Sequence, residues 1–177
     1  MKTSDELFSW LETAVPAMVL QYIIQSQALK VCSNISPAFA VVARYYDFDA
    51  YQVTGNNHFY NVVLTSDGPV EVDLSYIQFS VCGYRDSIRK AIKDLVKDPW
   101  MAVRVRAYEE DLNELEEPRM RSDAVDATLR GYQQSLNDIL GFKLSDPDVI
   151  EDYEDLYPWF SINDWQTESD PGMILDN

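Results

Sequence analysis

Along the first 45 residues, apolar side chains recur every three or four positions. Leu7, Leu11, Val15, Met18 and Tyr22 form one helical stripe. The Thr3-Ser4-Asp5-Glu6 run before them has the form of a capping box, in which the threonine hydroxyl and the glutamate carboxylate cap each other's backbone N–H. This predicts a helix running toward Gln27, with a kink near Pro16, where the chain lacks an N–H. A second stripe, Ala38, Val41, Val42 and Tyr45, predicts a helix with Asn34 as N-cap and Pro37 in its first turn. Cys32 then falls just outside the N-terminus of that helix, where unpaired N–H groups and the positive dipole end favour a thiolate.

The period then shortens to two. Residues 50–55, 58–65 and 69–74 are β-rich and separated by turn residues, and Thr65-Ser66-Asp67-Gly68-Pro69 predicts a hairpin between the last two. His58, Tyr60, Val62 and Leu64 share one face of their strand, and Glu71 and Asp73 share one face of theirs. Register decides whether His58 and Asp73 meet, and a connecting hairpin makes the meeting short-range. Residues 85–99 read as a basic amphipathic helix ended by Pro99, and residues 100–108 as a further strand. Ser122 opens a helix carrying Val125, Leu129, Tyr132, Leu136 and Leu140, with Gly141 as its stop; Asp146 caps a last helix that ends at Pro158. This order of elements predicts an α+β fold with an antiparallel sheet packed on the helix that follows Cys32 and acidic helices on the outer side. There is no internal repeat and no low-complexity linker.

Charge divides the chain. Residues 1–107 hold 11 acids and 10 bases, net −1, whereas residues 108–177 hold 19 acids and 4 bases, net −15. Two regions are expected: a core over 1–107, and an acidic, mainly helical extension over 108–177 whose apolar stripe packs on the core, with the basic helix at 85–97 as a natural neighbour. A net charge of −16 disfavours direct binding of nucleic-acid phosphates, which needs clustered Lys and Arg. No stretch reaches roughly 18 consecutive apolar residues, and the N-terminus carries acids where a signal peptide carries bases, so a soluble, cytoplasmic protein with no membrane contact is expected. Two cysteines and one histidine make neither a disulfide framework nor a closed zinc site, so reduced thiols, no metal and no cofactor are expected.

Those few residues nevertheless fall in a chemical order. Acyl transfer by cysteine needs a thiolate, a base near neutral pKa and a group that orients the base. Cys32 precedes a helix, the only histidine opens a strand 26 residues later, and Asp73 lies near the end of the next strand. Cys82 comes after the histidine, out of this order, and reads as structural.

The run His58-Phe59-Tyr60-Asn61-Val62-Val63 followed by Val70-Glu71-Val72-Asp73 resembles the transglutaminase-like, papain-related superfamily, whose His strand has the form H-x-x-N-x-V and whose Asp strand ends in V-D. The resemblance spans roughly residues 28–79, under a third of the chain. It implies a papain/transglutaminase-like core over 1–107 in which Cys32 is the nucleophile, His58 the general base and then acid, and Asp73 the orienting carboxylate. It also implies an oxyanion hole made by the Cys32 N–H and an upstream donor, for which Gln27 and Gln25 are the candidates. Val31 and Ser33 stand where the family commonly has a glycine and an aromatic residue. Asn61 matches the family's asparagine, but strand alternation turns it away from His58, toward packing or hydrogen bonding. The implied activity is acyl transfer or hydrolysis on amide bonds of a protein or peptide, as in a peptidase, a glutamine deamidase or a transglutaminase. A different class fits the charge as well: a non-catalytic acidic interaction or decoy protein whose aromatic-rich C-terminal half binds a basic partner surface.

Overall fold

Helix α1, Ser4–Val19, begins as its capping box requires: the Thr3 hydroxyl accepts from Glu6 N–H at 3.1 Å, and the Glu6 carboxylate accepts from Thr3 N–H at 2.8 Å. The structure is a computed structural model and describes residues 1–79 and 85–142. Pro16 sits inside α1 without ending it. Beyond Val19 the chain widens into a π turn, Leu20–Ile24, in which Gln25 N–H reaches the Leu20 carbonyl at 2.9 Å, and the helical run stops there, short of Gln27. Ser4–Ile24 is long and apolar enough by length and composition to cross a membrane. Its Leu7, Leu11, Val15, Met18, Ile23 and Ile24 are fully buried in the core.

Helix α2, Cys32–Tyr45, starts three residues earlier than an Asn34 cap would place it, so that Cys32 is the first helical residue and Val31 the N-cap. The Val31 carbonyl accepts from both Asn34 and Ile35 N–H at 2.9 Å. Val31 has no capping side chain; burial of Leu29 and Val31 anchors the approach to the helix in its place. Tertiary packing has overridden the capping preference of asparagine.

Strands β1 (Asp49–Gly55), β2 (His58–Thr65), β3 (Gly68–Asp73) and β4 (Arg104–Ala107) form one antiparallel sheet in chain order. The β1–β2 turn puts Asn57 at φ 55°, and the β2–β3 turn puts Gly68 at φ 119°, a backbone that side-chain-bearing residues rarely adopt. The expected strand over 100–108 is split: Pro99–Ala102 forms a 3₁₀ turn capped by Asp98, and only Arg104–Ala107 pairs with β3. The proline that ends α3 (Arg85–Lys97) also keeps the next residues out of the ladder.

Register sorts the sheet into two faces. Ala50, Val63, Val70 and Val72 join α1, α2 and α3 in the main core, while Val53, Val62 and Tyr108 form a smaller cluster on the other face with Tyr60, Leu64 and Leu115. Helix α4, Ser122–Phe142, runs through Gly141 rather than stopping at it. It packs on α1 and α2 and buries Tyr132, whereas the neighbours of α3 are the π turn and the 99–102 turn, so the basic helix is not the surface that receives α4. Cys82, the chain beyond Phe142 and the helix expected after Asp146 lie outside the described residues.

Candidate functional site

The first turn of α2 delivers Cys32 to the end of the sheet where β2 begins. As the first helical residue it lies at the positive end of the dipole, and the Phe59 backbone N–H favours its thiolate. Asn61 holds helix and strand together: its Nδ2 donates to the Ser36 carbonyl of α2 at 2.8 Å and to the Tyr51 carbonyl of β1 at 3.1 Å. The residue is buried and makes no contact with the imidazole in this role, as strand alternation requires.

His58 and Asp73 meet across β2 and β3. Val62 is the register partner of Glu71, so His58, four residues before Val62, and Asp73, two after Glu71, fall on the same face. His58 Nε2 lies 2.7 Å from Asp73 Oδ2, and Asp73 Oδ1 accepts from the backbone N–H of Ser75 at 3.1 Å and from its hydroxyl at 3.4 Å. With Nε2 committed, Nδ1 is the nitrogen left for the thiol. Nδ1 is buried and makes no hydrogen bond of ordinary geometry. Cys32 couples to the ring through a looser contact, as free nucleophile–base pairs often do. Phe79 packs edge-on to His58 at 4.6 Å, and Tyr60 stacks at 6.2 Å. Exposure is 5% for Cys32, 7% for His58 and 1% for Asp73.

Both reactive groups are shifted toward the charged pair. Burial opposes protonation of His58, but the Asp73 hydrogen bond and the interaction with Cys32 outweigh it and raise the ring from 6.5 to about 9. Burial likewise opposes the Cys32 thiolate, yet His58 and the Phe59 N–H prevail over it and over the Asp73 charge, and the thiol falls below its ordinary 9.0. Such a pair can hold a proton on imidazole while sulfur stays nucleophilic.

Gln25 caps the π turn and Gln27 follows at φ 56°, both half-buried; neither side chain hydrogen-bonds to Cys32, His58 or Asp73. The N–H groups of Cys32 and Ser33, by contrast, lie at the open end of α2, where no preceding turn of helix accepts from them. Sequence reasoning did not anticipate Ser75, although an Asp followed two residues on by Ser is a familiar local side-chain-to-backbone motif. Nor did it anticipate Arg104 and Arg106, which converge on buried Glu71 on the same face of the sheet as His58 and Asp73. Among the described residues no cluster of three or more His, Cys, Asp or Glu is placed to hold a metal ion. No protein family, curated protein or solved structure that the chain was compared with matches it.

Proposed function

We propose that the chain is a cysteine-dependent acyltransferase or hydrolase acting on amide bonds of a protein or peptide, built on a papain/transglutaminase-like core. The observation that carries this reading is the 2.7 Å contact of His58 Nε2 with Asp73, which leaves Nδ1 as the ring nitrogen free to serve Cys32, whose thiol the histidine lowers. In this reading the Cys32 thiolate attacks the amide carbonyl, with the helix-end N–H of Cys32 as one donor to the oxyanion. As the C–N bond breaks, the His58 imidazolium passes its proton to the leaving nitrogen. Water or an acceptor amine, deprotonated by His58, then attacks the thioester and frees the sulfur. Asp73 holds the ring in the required tautomer and stabilises its charged form.

A second reading, a non-catalytic interaction protein that keeps the triad as a buried structural cluster, is supported by the low exposure of Cys32 and His58. Intact-mass labelling with iodoacetamide across pH separates the two. An activated pair labels rapidly at Cys32 well below the ordinary thiol range, with the adduct lost in Cys32→Ala and kept in Cys82→Ala. Slow labelling that rises only near the ordinary thiol range sinks the enzymatic reading.

A further inference from the structure

Arg104 is the direct cross-strand partner of Asp73, and Arg106 that of Glu71. Side chains directly opposite on one face start within about 5 Å of each other at Cβ, so register alone assigns the Arg104 cation to the Asp73 carboxylate. The observed pairing differs. Arg104 Nη2 lies 3.2 Å from Glu71 Oε2, its guanidinium lies 4.1 Å from the centre of the Tyr76 ring, and its Nε is buried without a hydrogen-bond partner. Arg106 forks onto the same carboxylate, with Nε 2.9 Å from Oε2 and Nη2 3.5 Å from Oε1. Asp73 is thereby left to His58 on one oxygen and to Ser75 on the other.

We propose that Glu71 is a positioning residue that draws Arg104 off Asp73, so that the charge of Asp73 acts on His58 undivided. The proposal rests on the triad reading and adds a residue to it that touches none of the reacting atoms. Two guanidinium groups share one buried carboxylate. If that carboxylate is neutralised, Arg104 retains unpaired donors beside Asp73, and a charge-assisted bond between them is the strongest one within reach. Asp73 then divides its charge between a permanent cation and the imidazole, and the proton on His58 is held less tightly. The charged and titratable groups facing this assembly are Cys32 from α2, Tyr60 on β2, Tyr76 on the turn after β3, and Arg104 and Arg106 on β4. Tyr108, Glu109 and Glu110 lie further along the same side, the two glutamates lining a cavity of about 250 Å³ with Glu71 and Arg106.

The chain holds a single histidine, so the NMR titration of its ring in the full-length protein is unambiguous, and the low-pH edge of iodoacetamide labelling at Cys32 gives a second reading. Glu71→Gln is expected to lower the His58 midpoint by about one unit or more and to move the labelling edge upward in step. Adding Arg104→Gln restores both. Adding Arg106→Gln, which balances charge equally but leaves Arg104 free, does not. Restoration by both doubles would mean that simple charge count is at work and would overturn the proposal, as would an unshifted midpoint in folded Glu71→Gln. Should Glu71→Gln fail to fold, Glu71→Asp keeps the charge and shortens its reach; a partial downward shift is expected, and no shift overturns the proposal. A wild-type midpoint near the ordinary 6.5 would instead sink the triad reading itself.

Discussion

In the proposed triad Asp73, by holding Nε2, decides which nitrogen of His58 is offered to the thiol, so its replacement tests the residue-scale chemistry most directly. Asp73→Asn keeps the size but turns a carboxylate acceptor into a group that can present N–H to Nε2, which favours the wrong tautomer. Labelling of Cys32 at neutral pH is expected to fall severely, though less than after His58→Ala, and unchanged labelling would remove Asp73 from the site. The same pair makes stability depend on pH. His58 has a folded pKa of about 9 against an ordinary 6.5, so its contribution is fully present below 6.5 and is lost as pH rises through about 9. The lowered Cys32 contributes with the opposite sign, present above its ordinary 9.0 and lost as pH falls through its folded value. The two titrate as a coupled pair. The midpoint of urea unfolding is therefore expected to decline above pH 6.5 in the wild type only until the Cys32 thiol ionises, beyond which the two contributions offset each other, and to be flat over the same range in His58→Ala; parallel curves for the two proteins would contradict this.

At the scale of elements, the site is a junction of one helix end and two strands, and Asn61 is the clasp. Asn61→Ala removes the donor to the Ser36 and Tyr51 carbonyls and is expected to destabilise the fold by about 1–3 kcal/mol. It should also slow Cys32 labelling, because α2 would no longer be held against β2; an unchanged denaturation midpoint would show that the clasp is dispensable. The contact of the π turn with α4 has a similar point of closest approach. A Cβ built at Gly131 would stand 2.4 Å from Nε2 of Gln21, so any side chain there must push the end of Gln21 aside, and a large one crowds the seam. Gly131→Leu is expected to lower the melting temperature and to open a site for limited proteolysis at α4, whereas full protease resistance would place the helix elsewhere.

Over the whole molecule, the charge of −16 loads the folded state with self-repulsion, most of it in sequence after residue 107. Raising salt from about 10 mM to about 150 mM shortens the screening length from about 30 Å to about 8 Å. The melting temperature is expected to rise over that range, and a fall would mean that specific ion pairs, such as those at Glu71, outweigh the general repulsion. What the chain alone determined rests on short-range rules. The capping box at Thr3 and Glu6, the three strands and the hairpin that carries His58 toward Asp73 are each set by spacing and turn chemistry within a few residues. The α+β class comes from their order. Tertiary structure decided the rest, because those choices are made between segments far apart in the chain. Burial of Leu29 and Val31 began α2 at Cys32 instead of at an Asn34 cap, and the placement of α1 and α2 drew α4 onto them rather than onto the basic α3. A buried glutamate, not the nearest register partner, took Arg104, since a carboxylate removed from water needs its counter-ions more than Asp73 does once His58 and Ser75 satisfy it.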